Sequence, residues 1–276
     1  MFGKLMKYEL RHLMRIFAPM WAVVLILCVL SRLTVRPDMD GVMYAEGMAA
    51  LVPIVLLTLS VFGILTMMIV AAVVLIQRFY KGMYGDEGYL MFTLPVTTGQ
   101  LVNAKALSAL LLMVATELVT VLGIAIMVSY GDVWKLAAES LGFNLRDLFN
   151  MLLDMYELTA GEFALMTLWG MVLALMETLR GIFMVYLAVS IGQLWRKHPI
   201  AGGILGWYVL VIVIGMLDSM IQRALGIHPM EIMMEDVMFS MQGWQMMLYG
   251  TVESVVLSVA MFFGTKLILD KKLNIM

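Results

Sequence analysis

Between Leu51 and Ile76 the chain reads LVPIVLLTLSVFGILTMMIVAAVVLI, without one charged side chain. A helix rising 1.5 Å per residue needs about 20 apolar residues to cross the ~30 Å hydrocarbon layer of a bilayer, and this run exceeds that. Inside lipid every backbone N–H and C=O must be satisfied within the protein, so a spanning segment of this kind is a helix. Five further apolar runs cover about 16–31, 107–129, 164–191, 200–217 and 247–269, those at 16–31 and 200–217 being short. Hydrophobic residues make up 63% of the 276-residue chain and charged ones only 14%, with a mean hydropathy of +0.96. That leaves too little charge to cover a soluble surface. The expectation is an all-α polytopic membrane protein, with residues 1–276 forming a single membrane domain of six transmembrane helices.

Charge sorting predicts the orientation. Lys4, Lys7, Arg11, Arg15, Arg78, Lys81, Lys105, Arg196, Lys197, Lys266, Lys271 and Lys272 fall at one set of span ends. Only Arg32, Arg36, Lys135, Arg146 and Arg223 fall at the other. Positive charge is retained on the cytoplasmic side, so both termini and the 77–106 region are predicted to be cytoplasmic. The 130–163 and 218–246 connections are predicted to be extracellular, and they carry most of the acidic residues, among them Asp147, Asp154, Glu235 and Asp236. These long connections are expected to hold short amphipathic helices, as in SLGFNLRDLFNMLLDMYEL.

The leading residues combine two stripes at helical spacing. Lys4, Lys7, Arg11 and Arg15 form one, and Met6, Leu10, Leu13, Met14 and Phe17 the other. This predicts an interfacial amphipathic helix over 1–15 that runs into the first span. No small-residue cleavage site follows Leu30, which argues against a signal peptide.

Four ionisable residues lie inside the predicted spans: Glu117, Glu177, Arg180 and Glu253. A charge at mid-membrane costs about 2.5–3.5 kcal/mol on insertion scales, so each is expected to face the bundle interior and have a partner. Glu177 and Arg180 are spaced for an intrahelical ion pair, which Glu117 could join, while Glu253 is nearer the outer face. Such a set either lines a polar path or clamps helices together, and the clamp is the simpler reading. The 30 methionines include a crowd at Met233, Met234, Met238, Met241, Met246 and Met247. Methionine is spread along the whole chain without a Cys or His cluster, so flexible apolar filling explains it better than copper binding. Cys28 is the single cysteine, and His12, His198 and His228 form no metal motif, so no metal site is expected.

No nucleophile elbow, P-loop or HExxH is present, so no catalytic residue is assigned and the chain is not expected to be an enzyme. Gly85-Asp86 lacks both the preceding glycine and the second aspartate of an intramembrane aspartyl protease. The basic residues are ordinary membrane flanks and give no reason to expect nucleic-acid binding.

Within 77–106, Asp86 is positioned to cap a short helix over Glu87 to about Thr93, stopping before Pro95. Thr97 and Gln100 match a capping box that starts the next helix. The short helix carries Tyr89, Leu90, Met91 and Phe92, an apolar surface to be covered by membrane or partner.

The combination Phe79-Tyr80-Lys81, Gly85-Asp86-Glu87-Gly88-Tyr89-Leu90, Thr93-Leu94-Pro95-Val96 and Lys105, with the ending Thr265-Lys266-Leu267-Ile268-Leu269 … Lys272-Leu273-Asn274, resembles ABC-2-type permease subunits of Gram-positive bacteria. The motif likeness covers mainly 77–110, and the topology likeness the whole chain. The resemblance implies a type V (ABC-2) exporter-like fold in the bacterial plasma membrane, paired with a second permease chain as a homo- or heterodimer. It implies that Tyr84, Asp86, Glu87, Tyr89, Leu94 and Pro95 belong to a coupling helix docked on a separate ABC ATPase subunit. The chain itself would need no cofactor, since ATP and Mg²⁺ would act in that partner, and its other surroundings would be membrane lipid. The cargo would move outward, a peptide, drug or lipid being compatible. Two other readings stay open: an ion-coupled secondary transporter using Glu117, Glu177 and Glu253, and a non-transporting sensor or scaffold subunit.

Overall fold

A computed structural model describes residues 2–34, 51–85, 88, 95–128, 159–195, 197–226 and 241–273. Among them are six long helices and no strand: α1 (Phe2–Thr34), α2 (Leu51–Tyr84), α3 (Thr98–Val128), α4 (Ala160–Gly192), α5 (Pro199–Ala224) and α6 (Met241–Leu273). All six are long and apolar enough to cross a membrane.

Each helix is longer than its apolar run, and at the starts of α3 and α4 a capping box sets the end. The leading segment and first span are one uninterrupted helix of 33 residues, about 50 Å long. Its basic stripe, Lys4, Lys7, Arg11 and Arg15, is exposed, while Leu13 and Phe17 are buried. Pro19 lies inside α1, a position that membrane helices tolerate more readily than soluble ones. α4 begins one turn before its apolar run, at a capping box in which Glu162 N–H donates to Thr159 Oγ1 (3.3 Å) and Thr159 N–H to Glu162 Oε2 (2.8 Å). α5 continues past Leu217 to Ala224 and stops where Gly226 adopts φ +70°, the left-handed turn that glycine enters without strain. The expected helices around 140–158 lie outside the described residues.

The chain groups into two compact bodies. One contains the Ile76–Leu110 stretch together with α4, α5 and α6; the other contains α1 from Lys7, α2 up to Leu75 and α3 from Leu111. In the second body Val24, Cys28, Ile64 and Met67 form an apolar core flanked by Trp21, Val119 and Ile126. Hydrogen bonds cross between its helices, among them Trp21 Nε1–H to Thr116 Oγ1 (3.1 Å) and the Ser60 hydroxyl to the Leu27 carbonyl (3.0 Å).

In the first body α4 packs on both α5 and α6. Small residues set the spacing, as is usual where membrane helices approach closely. A Cβ added to Gly192 would lie 2.5 Å from the Gly203 amide nitrogen and 2.5 Å from the Pro199 carbonyl, so only glycine fits where α4 meets α5. On α6, Ser254, Ser258, Met261, Thr265 and Leu269 form the buried stripe.

Candidate functional site

The most polar part of the first body lies across the middle of α4, α5 and α6. On α4, the Arg180 guanidinium sits one turn after Glu177 and donates to its carboxylate, with Nε 3.0 Å from Oε2. It also reaches α6, where Nη1 lies 3.3 Å from Glu253 Oε1. The neighbouring Ser254 hydroxyl donates to the other oxygen of Glu177. α5 adds Asp218, which neighbours Glu253 and accepts from Tyr249 Oη on α6 (2.6 Å) and from Gln222 Nε2 one turn on (2.8 Å). One guanidinium thus bridges two carboxylates, and the third, Asp218, joins through Glu253. The Arg180 and Glu253 side chains are 28% and 17% exposed, so these charges interact through protein more than through water. Nearer the start of α4, Trp169 Nε1–H donates to Thr251 Oγ1 (3.1 Å) and continues the polar seam between α4 and α6. Among the described residues no three His, Cys, Asp or Glu side chains are placed to hold a metal ion.

Sequence reasoning named Glu177, Arg180 and Glu253, and the structure brings these three together. Glu117 belongs to the other body, on α3, where its side chain is exposed. Asp218, Tyr249 and Ser254 were missed. Asp218 fell just beyond the apolar run that was taken to end at Leu217, and its spacing to Gln222 was the one available signal.

The connection between α2 and α3 is held at both ends. The Phe79 ring stacks on Tyr186 of α4 with centroids 3.7 Å apart and planes within 8°. Phe183, one turn back, meets Phe262 of α6 edge to face at 5.8 Å. At the other end, a Cβ on Gly99 of α3 would sit 3.4 Å from the Phe262 ring, so α3 starts directly against α6. The expected capping box is present: Gln100 N–H donates to Thr97 Oγ1 and Thr97 N–H to Gln100 Oε1, both at 3.3 Å. Tyr84, expected at the docking surface, is half-buried, edge-on to Phe79 at 6.3 Å and with its hydroxyl beside Ser190, so it braces the end of α2. Pro95 is exposed, whereas Asp86, Glu87, Tyr89 and Leu94 lie outside the described residues. Gly88 is helical, within the segment where a short helix was expected.

A third feature of the same body is a cavity of about 610 Å³ between the ends of α2, α4 and α5. Val185, Ala188, Val189, Ile200 and Ile204 make its walls, with Trp207 deeper along α5. Gln77, Lys81 and Gln193 lie at the helix ends that border it.

Six long apolar helices define the class: a multi-pass, all-helical membrane protein. No family model, no curated protein and no solved structure matches the chain.

Proposed function

We propose that this chain is the transmembrane permease subunit of an ATP-binding cassette exporter of the ABC-2 type, working with a separate ATPase and a second permease chain. The observation that carries the reading is the double grip on the α2–α3 connection. Phe79 is stacked on α4 and Gly99 seated on α6, so a displacement of the stretch between them is transmitted to two spanning helices. Packed aromatic contacts and a capped helix start are stiff, which is what a mechanical input needs. ATP-driven movement of a partner pressing on residues 84–95 would tilt α4 and α6 and switch the spans between inward- and outward-facing arrangements. In this reading both termini and the connection are cytoplasmic, in agreement with the charge sorting.

Affinity purification of the full chain from its native membrane, followed by mass spectrometry, tests the assignment. An ABC ATPase is expected as a stoichiometric partner, and Asp86→Arg combined with Leu94→Asp is expected to dissociate it and to abolish stimulated ATP turnover. Purification without any ATPase would overturn the reading.

The network of Glu177, Arg180, Glu253 and Asp218 favours a second reading, an ion-coupled secondary transporter, because carboxylates in spans commonly mark ion paths. That reading requires uptake or efflux in proteoliposomes driven by an ion gradient with no ATPase present.

A further inference from the structure

The cavity between α2, α4 and α5 is almost wholly apolar, with polar residues only at one end. On α5 it runs from Pro199 to Tyr208 and on α4 from Val185 to Gln193, a depth of about 12 Å at 1.5 Å per residue. The apolar walls belong to the deeper turns, where a void lined by hydrocarbon does not hold water. The polar lining residues of α2, Gln77 and Lys81, come immediately after the uncharged run that ends at Ile76, so they stand at headgroup depth when that run fills the hydrocarbon layer. Gln193 ends α4 at the same rim, and exposed Lys197 lies on the turn that joins α4 to α5. No acidic residue lines the cavity. Lys81 is exposed and pairs with no described residue, so no described carboxylate competes with a ligand for its ammonium. The cavity lies beside a close glycine contact: Gly192 meets Gly202 and Gly203, and Gly206 meets Ile191, holding α4 against α5, while Ile204 and Trp207 line the open side.

From this placement we infer that the cavity is a binding site for an anionic phospholipid of the surrounding bilayer, its phosphate on Lys81 with Gln77 and Gln193, and an acyl chain lying in the cleft lined by α2, α4 and α5 toward Trp207. The charge is complementary at the rim, and a chain that already sits in the bilayer slides into an apolar cleft without leaving hydrocarbon. The site stands on the cavity and on membrane insertion, independently of any ATPase.

Trp207 provides the probe. Full-length protein is placed in nanodiscs of phosphatidylcholine doped with phosphatidylglycerol brominated on its acyl chains, and the quenching specific to Trp207 is taken as the difference between wild type and Trp207→Phe. The inference requires Trp207 to be quenched more strongly by brominated phosphatidylglycerol than by brominated phosphatidylcholine at equal doping. Lys81→Gln, a change at an exposed position, should weaken that preference about five-fold, the effect of one basic side chain at the lipid surface. Equal quenching by both lipids, a preference that survives Lys81→Gln, or no Trp207 component at all would each overturn it. The last outcome would mean that a second copy of the chain or another protein covers the cleft.

Discussion

The two bodies of this protein are held together by different means. Around Val24, Cys28, Ile64 and Met67, the helices meet through apolar side chains with crossing hydrogen bonds. Around α4, they meet through glycine, serine and a charged network centred on Arg180. In lipid, burying an apolar face against another helix gains little, since acyl chains are equally apolar. Close packing and polar bonds therefore decide which helices associate, and the α4 body uses both. An apolar core tolerates substitutions of similar volume, whereas a glycine contact or a charge shared among several groups does not. The difference teaches where this protein is brittle.

The largest effect is expected from Gly192→Ala. The new methyl would press on the backbone of Gly203 and Pro199, which cannot rotate away, and about 3 kcal/mol of stability should be lost, at the upper end for overpacking. Gly181→Ala, with no atom within 4 Å of the added carbon, should leave the thermal unfolding midpoint in detergent nearly unchanged. If both variants behave alike, the glycine contact does not hold α4 to α5.

Arg180→Met comes next. It leaves Glu177 and Glu253 facing each other without their cation and should cost about 2 kcal/mol, less than a fully buried pair because the Glu177 side chain is 38% exposed. Adding Glu177→Gln and Glu253→Gln to Arg180→Met should recover most of that loss. Under the transporter readings, recovery of stability together with recovery of transport would make the network a clamp, and recovery of stability alone would give it a part in transport.

Thr97→Ala should cost about 1 kcal/mol by removing a helix cap, and under the exporter reading it should also lower cargo-stimulated ATP turnover. Thr97→Ser retains the hydroxyl and should behave as wild type in both measurements. Smallest is Trp21→Phe in the apolar body. It removes the bond to Thr116 and should cost about 0.6 kcal/mol, the average for a hydrogen bond between membrane helices. A loss as large as that of Arg180→Met would erase the contrast between the two bodies.

Sequence reading went furthest where the governing physics is local. Thr97 and Gln100 are three residues apart, and a capping box needs nothing beyond that spacing. The apolar runs were legible for the same reason, although the helices extend beyond them because α2 ends at Tyr84 and α3 starts at Thr98, where backbone and caps take over from hydropathy. The pair of Glu177 and Arg180 was legible as neighbours on one helix face. Glu117 shows the limit of that approach. It has the same residue type and a similar depth in its span as Glu177, yet it is exposed, because helix rotation and choice of neighbour are not written in the hydropathy of a segment that is apolar on every side.

What the sequence by itself determined is therefore one-dimensional: which stretches are helical and apolar enough to span, where caps begin them, and which ends carry positive charge. Only the tertiary structure decided that Arg180 meets Glu253, 73 residues away, that Asp218 and Tyr249 join across two helices, and that Phe79 stacks on Tyr186. Only it opened a cavity behind the Gly192 contact. Hydrophobic length and capping are settled within a few turns of one helix. Partner choice between helices depends on small differences in packing and on polar bonds between distant residues, and those exist only once the helices have come together.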